Sequence, residues 1–323
     1  MVFLKDTILK ELQTNPVTQQ MIHFGNNIGN LFPNEEALCL ASAFQMDKKT
    51  RIVVKKNRYE AQQLYQRLQP LVDDSLLFVM EESLRVQAIA SSPEDKQEQI
   101  YVLTQLVKED KPRIIVCNTA AFFRYLPDRE LFKSLCFQFE VDQEISMSEL
   151  KRILNRAGYT KVNYVDRPCT YASRGGIVDV YCLEYEHPIR IEFFDTVIES
   201  IRLFHEETQR TIKTIDSVFI NPATDLLFTD EQINYLQKEI DKELEKQQTK
   251  LIPDDYEFLL DYIEKDKISL ENYDIDPHLY IYYSYLKANK LTDYVNGNII
   301  FSSQEEVENG YKKLNEETIT FIQ

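Results

Sequence analysis

Three short runs, Arg51-Ile52-Val53-Val54, Leu76-Leu77-Phe78-Val79 and Arg113-Ile114-Ile115-Val116-Cys117, are nearly all apolar rather than alternating. A strand with one wet face alternates polar and apolar residues, whereas a strand covered on both faces can be apolar throughout. Helical stretches fall around and between these runs, at 34–45, 59–69 and 93–108. The last carries the clearest start signal. Ser92 can cap it, Pro93 suits the first helical position, and Glu94 and Asp95 suit the positive end of the helix dipole. Residues 1–132 therefore read as a small α/β layer domain whose strands are covered on both faces.

From 133 to 216 the pattern changes. Ser146 and Glu149 have the spacing of a capping box and Ile145 and Leu150 that of a hydrophobic staple, so a helix opens there and ends at Gly158. Strands follow at 177–183, 189–194 and 197–204, the last two joined by Asp195-Thr196 as a short antiparallel turn. This is an α+β segment. Residues 217–323 read as helical and acidic: Thr229 and Gln232 form a second capping box, and Ile233, Leu236, Ile240 and Leu244 recur on one helical face. The stretch 251–290 is acidic and rich in tyrosine, which reads as an acidic surface over a tyrosine-containing core, an intramolecular docking face or a DNA mimic. A strand-like Ile299-Ile300-Phe301 and a helix from 304 complete the chain.

Composition removes whole classes of function. With 37 Lys+Arg against 53 Asp+Glu, the net charge of −16 disfavours a general nucleic-acid binder, which needs basic surface to neutralise phosphates. Nearly all of that charge lies outside 145–220, so an arginine in the middle segment is less cancelled than one elsewhere. Five widely spaced cysteines without a C-x-x-C pair indicate neither a disulfide framework nor a zinc ribbon, which fits a reducing, cytoplasmic setting. Charges interrupt the N-terminal apolar residues and no apolar run is long enough to cross a membrane. Seven glycines, no G-x-x-x-x-G-K-[ST], no G-x-S-x-G and four scattered histidines leave no expected catalytic residue, metal or cofactor.

One stretch stands apart: Tyr171-Ala172-Ser173-Arg174-Gly175-Gly176-Ile177-Val178-Asp179-Val180, followed by Pro188-Ile189-Arg190-Ile191-Glu192-Phe193-Phe194-Asp195. Strand alternation puts Ile189, Ile191 and Phe193 on a core face and Arg190, Glu192 and Phe194 on the other. An arginine beside an aromatic on the wet side is the residue pairing enriched in interface hot spots, and Arg174 can reach the same surface. The alternative is that Phe194 packs under a helix and the arginines pair with Glu192 or Glu199. Gly175 and Gly176 supply either a bulge or a positive-φ turn.

These same residues, with the continuation Glu199-Ser200-Ile201-Arg202-Leu203-Phe204-His205, resemble the UvrB-homology region at the N-terminus of the bacterial transcription-repair coupling factors. Weaker similarity runs through Ser91-Ser92-Pro93-Glu94-Asp95, Ala157-Gly158-Tyr159 and Asn221-Pro222-Ala223. The resemblance implies three parts, 1a (1–132), 2 (133–216) and 1b (217–323), with 1a and 1b forming a degenerate helicase-like, P-loop NTPase-like α/β domain. It also implies a non-enzymatic module of nucleotide excision repair whose domain 2 binds UvrA, the family's contact residues falling at Arg174, Arg190 and Phe194. Where a P-loop would lie, around 29–36, this chain has Glu35 and Glu36, which would repel a nucleotide's phosphates, so no ATP binding and no strong DNA binding are expected.

Coupling factors are much longer, with a polymerase-interacting domain, a motor and a C-terminal domain that masks domain 2. The chain reads either as an excised piece of a longer protein, which its end within the last helix favours, or as a natural stand-alone copy, in each case with its UvrA surface uncovered and expected to bind without polymerase or ATP. Two alternatives stand beside the adaptor reading. One is a remnant helicase with weak DNA binding; the other is an intramolecular module that docks on the C-terminal domains of a parent chain and restrains its motor.

Overall fold

The structure, a computed structural model, describes residues 2–23, 28–29, 31–81, 93–274 and 276–322. Ser91 and Ser92, the proposed cap and part of the similarity above, and Asn30 in the P-loop-equivalent stretch lie outside those residues. The chain divides into two compact units, one of residues 1–124 with 290–323 and one of residues 125–289. Residues 290–323 thus join the first unit, while 217–289, which the sequence reading groups with them, lie in the second.

The apolar runs of the first unit do what their composition demands. Strands β1 (Arg51–Lys55), β2 (Ser75–Phe78) and β3 (Ile114–Asn118) pair in parallel, and each is buried along its whole length. The fourth strand of the sheet, Asn298–Phe301, comes from the far end of the chain and adds in parallel to the free side of β1, giving the order Asn298–Phe301, β1, β3, β2. Helices α1 (Val2–Glu11), α2 (Pro16–Ile22), α3 (Pro33–Asp47) and α4 (Arg58–Leu68) precede or connect the strands. Leu9, Leu40, Val53, Leu64, Ile114 and Val116 belong to one buried cluster. Burying each such side chain stabilises the fold by roughly 1.5–3 kcal/mol before ordering entropy is counted. Helix α5 (Pro93–Lys108) spans the stretch its sequence predicts, and α6 (Thr119–Phe123) is capped by Asn118, whose side chain accepts from Ala121 N at 3.3 Å.

The second unit starts with α7 (Arg129–Ser134) and β4 (Phe137–Glu140). Helix α8 (Met147–Arg156) is capped by Ser146, whose Oγ accepts from Glu149 N at 3.1 Å. The box is half formed, because the Glu149 carboxylate takes a hydrogen bond from Arg152 instead of the cap backbone. The helix stops at Gly158, whose φ of +81° favours a residue without a side chain. Strands β5 (Thr160–Lys161), β6 (Thr170–Arg174), β7 (Ile177–Tyr181), β8 (Ile189–Phe194), β9 (Val197–Phe204) and β10 (Thr211–Ile215) then form one six-stranded sheet in the order β10-β9-β8-β7-β6-β5, antiparallel except for the β5–β6 pair. A small second sheet pairs β11 (Ser217–Ile220) with β4. Helices α9 (Asp230–Gln248) and α10 (Pro253–Asn272) and a 3₁₀ stretch (Pro277–Tyr285) follow. The Thr229–Gln232 capping box is complete in both directions. Two short elements and a long helix finish the first unit: α11 (Leu291–Tyr294), β12 (Asn298–Phe301, the fourth strand above) and α12 (Gln304–Ile322).

Candidate protein interface

The face of the six-stranded sheet follows from strand alternation and register. Along β8, Ile189, Ile191 and Phe193 are buried, Arg190 and Glu192 are half-buried, and Phe194 is exposed. The buried side carries α8: Ser173 Oγ meets Met147 Sδ at 3.5 Å and Tyr171 Oη donates to Asn155 Oδ1 at 2.7 Å. On the opposite side the register sets Ala172, Asp179, Arg190 and Arg202 in one cross-strand row and Arg174, Ile177, Glu192 and Ser200 in the next.

Within that first row Arg190 is held on three sides. Its Nε and Nη2 donate to Asp179 Oδ1 and Oδ2, both at 2.7 Å, a bidentate fork across the β7–β8 pair. Its Nη2 also donates to Gln209 Oε1 at 2.7 Å, and its guanidinium carbon lies 4.3 Å from the centroid of the Phe204 ring. The hydrogen bonds and charge of Asp179 raise the Arg190 pKa above its ordinary value, outweighing burial. The arginine's partner is thus Asp179, not Glu192 or Glu199; Glu192 is spoken for by Arg202 and by Ser200 Oγ, the latter at 2.6 Å. That alternative pairing fails because the register brings Asp179 directly opposite Arg190.

Phe194 lies under no helix. It is 74% exposed at the end of β8, just before the Asp195-Thr196 turn, in which Asp195 adopts φ 57°. The neighbouring hairpin tip, between β6 and β7, is set by Gly175 at φ 56° and by Gly176, whose carbonyl accepts from Phe193 N at 2.8 Å. A Cβ on Gly176 would come within 3.0 Å of the Phe193 carbonyl oxygen, so the close approach of the tips needs glycine there. Arg174, at the end of β6, is exposed and has no ion pair among the described residues. Arg174 and Phe194 therefore stand at one end of the sheet, and Arg190 lies on the same face as Phe194, four residues and about 13 Å deeper along the strand.

Chemically, this face offers an exposed aromatic ring, an unpaired cation and an arginine whose charge is offset by its own carboxylate. Such a surface suits a protein partner with an apolar pocket and an acidic or carbonyl-rich rim. Asp179, Phe204 and Gln209 belong to it and escaped sequence reasoning. The available signal is Asp179 itself, an acid inside the apolar run Ile177-Val178-Asp179-Val180, where a buried carboxylate requires a cation.

In the first unit, Glu35 and Glu36 both find partners within the unit. The Glu35 side chain accepts from the Phe32 backbone N at 3.0 Å, using a donor at the start of α3. Glu36 takes both Lys55 Nζ, at 2.8 Å, and Ser302 Oγ, at 3.2 Å. In the acidic stretch of the second unit, buried Asp266 receives Tyr282 Oη and meets His278 Nε2, each at 2.7 Å, and Tyr283 Oη donates to Leu227 O at 2.8 Å. These contacts tie the 3₁₀ stretch to α10 and to the segment before α9. Burial and the Asp266 carboxylate push the Tyr282 hydroxyl well up. No helix among the described residues is long and apolar enough to cross a membrane. None of the five cysteines is in a disulfide, and burial pushes the Cys182 thiol up to about 12.

Comparison with known proteins places the sheet just described. Residues 137–226 match the family described as UvrB interaction domain. The transcription-repair-coupling factor of Bacillus subtilis is 32% identical over 277 residues, 84% of this chain and 23% of that protein. The chain is a relative of the transcription-repair-coupling factors. Those of Staphylococcus epidermidis, 30% identical over 283 residues, and Staphylococcus haemolyticus, 30% over 215, cover 86% and 66% of the chain and are themselves covered over 24% and 18%. The chain spans about a quarter of the length of these coupling factors from Bacillus subtilis and Staphylococcus epidermidis. Arg174, Arg190 and Phe194 all fall inside the matched UvrB interaction domain.

Proposed function

We propose that this chain is a non-catalytic adaptor of transcription-coupled nucleotide excision repair, which recruits UvrA through the open face of the β6–β9 sheet. The observation that carries the proposal is Phe194, left 74% exposed on the same sheet face as a pre-set arginine within the stretch that matches the UvrB interaction domain. Nothing in the packing of the domain requires a phenylalanine at that place, and large exposed aromatics on a rigid strand are what partners bury. In this reading Phe194 fills an apolar pocket on UvrA, Arg174 pairs with a carboxylate there, and Arg190 supplies directional donors. The first unit then serves as a degenerate helicase-like body without nucleotide chemistry. Its support is the Glu35 and Glu36 carboxylates, which occupy the donors and the cation that a phosphate would need.

Calorimetric titration of the chain into UvrA, beside Phe194→Ala and Arg174→Glu variants, tests the proposal. Micromolar or tighter binding that both variants weaken, with circular dichroism and melting unchanged, is the expected result. Absence of binding by the native chain would overturn it. A melting shift of the native chain by ADP or ATP would overturn the nucleotide-free half.

A further inference from the structure

The arginine at the centre of this face is not a free cation, and that changes what it can contribute. Asp179 is buried, its side chain 8% exposed, and the Arg190 side chain 14% exposed; neither would be tolerated there without the other. Three of the guanidinium's five N–H donors are committed by Nε and Nη2 to Asp179 and Gln209, and one flat face lies on Phe204. Among the described residues, Nη1 is the edge that has no acceptor.

Gln209 is itself fixed. It adopts φ 60°, its backbone N donates to His205 O at 2.7 Å, and its Nε2 donates to Glu206 O and Tyr164 Oη, both at 2.7 Å. A residue is rarely kept in the left-handed region unless its surroundings over-determine it. Here the turn delivers one amide oxygen to the guanidinium of the strand beside it.

From this arrangement we infer that Asp179 and Gln209 are positioning residues for partner binding: they hold the Arg190 guanidinium flat against Phe204 and direct its Nη1 edge outward, towards a carbonyl or carboxylate of UvrA. The inference rests on the reading that this face takes UvrA. It gives Arg190 the part of an oriented donor and leaves Arg174 as the cation that attracts charge. An arginine held in place before binding loses less side-chain freedom on association than a mobile one, so the preset geometry favours the complex.

The decisive substitution is Asp179→Asn, because positioning and simple charge attraction predict opposite signs. The substitution makes the face one unit more positive. If Arg190 acted only as a charge, an acidic partner surface would bind the variant more tightly. Positioning predicts instead a loss of affinity of about fivefold or more, carried by faster dissociation, with a steeper salt dependence because Arg190 is no longer offset.

Glu192→Gln is the matched control. It changes the charge of the same face by the same amount, through the neighbouring Arg202 pair, and leaves all of Arg190's hydrogen bonds in place. It is expected to bind as the native chain does or slightly tighter. Because Asp179→Asn could unfold the domain, Gln209→Asn is the second probe: asparagine accepts positive φ, but its shorter amide cannot span the gap to Arg190. It is expected to weaken binding by about twofold to threefold with native melting, since one of three hydrogen bonds is lost.

Surface plasmon resonance against UvrA at two salt concentrations reads all four proteins. Weakening by Asp179→Asn and Gln209→Asn, and not by Glu192→Gln, supports the inference. Unchanged or tighter binding by a folded Asp179→Asn, or a native-like Gln209→Asn, overturns it and leaves the interface reading standing. Absence of binding by the native chain removes the interface reading, and the inference with it.

Discussion

Each unit of this molecule places a nearly buried cation–carboxylate pair on a sheet, and the two pairs sit in opposite settings. In the first unit Lys55, at the end of β1, is enclosed by Glu36, and Ser302 from the loop after β12 completes the carboxylate's shell. Lys55 Nζ donates to both Glu36 carboxylate oxygens, so the pair is closed on itself. In the second unit Arg190 is paired just as closely to Asp179, yet the strand carries on to an exposed phenylalanine. A buried ion pair by itself therefore marks no functional surface. What distinguishes the second place is the donor edge of Arg190 that the fold does not use, on the strand face that runs out to Phe194. An exposed aromatic alone does not decide it, because Phe32, whose carbonyl accepts from Glu36 N, is 74% exposed as well.

The largest effect expected from breaking either pair is on stability in the second unit. Arg190→Ala leaves Asp179 buried and charged without a partner, which should cost about 3 kcal/mol of unfolding free energy. Chemical denaturation read by circular dichroism checks it; a change within experimental error would show that Asp179 reaches water on its own. This expectation bears on how the interface is mapped. Loss of UvrA binding by an Arg190 variant mixes misfolding with lost contact, so Phe194 is the cleaner probe. Phe194→Ala, on an exposed ring, should leave melting unchanged and cost about 2 kcal/mol or more in UvrA affinity if Phe194 is a hot spot. If Phe194→Ala binds normally, the two pairs differ only in exposure, and the contrast drawn between them carries no functional meaning.

How far this contrast can be read without the structure depends on the sequence separation of the partners. Apolar runs at 51–54 and 113–117 are enough to place strands covered on both faces, since a strand with one wet face would alternate; their parallel pairing is seen only in the structure. Alternation in Ile189-Arg190-Ile191-Glu192-Phe193-Phe194 is enough to separate the core face from the open one. The pairs themselves are not legible. Asp179 opposes Arg190 only because the β7–β8 register puts them there, and a shift of one residue would send the acid into the core. Glu36 meets Ser302 across 266 residues, a contact that no local pattern encodes. Gln209 reaches Arg190 from a left-handed turn, and the sequence gives no sign that glutamine, rather than glycine or asparagine, holds it.

The closed pair in the first unit makes a smaller prediction. Glu36→Gln keeps the shape but removes the charge that neutralises Lys55, whose side chain is 11% exposed against 14% for the glutamate. The variant should lose about 1–2 kcal/mol of stability, because a hydrogen bond to a charged group becomes one to a neutral amide. It should also become sensitive to anions, with added phosphate or pyrophosphate raising its melting temperature while leaving the native chain unmoved. A native chain stabilised by those anions would show that the first site is open too.

The smallest effect concerns a carboxylate in the first unit that no cation fully offsets. Glu98 on α5 is held above the usual carboxylate range, first by burial and then by the charge of Asp95, with Arg58 pulling only weakly the other way. Arg58 is engaged elsewhere, by Asp95 and by Glu81. A carboxyl whose folded pKa lies above its unfolded one binds protons more readily when folded. It therefore detracts from stability at neutral pH, and that penalty fades as pH falls through the folded value and the group becomes neutral. Glu98→Gln should accordingly raise the melting temperature slightly at pH 7 and make no difference near pH 3, where native Glu98 is already protonated. Thermal melts of the two proteins across that range measure the sign. A destabilised variant at neutral pH would mean that the Arg58 charge outweighs burial. Glu98 would then belong with Glu36 and Asp179 among the carboxylates that hold their cations in place.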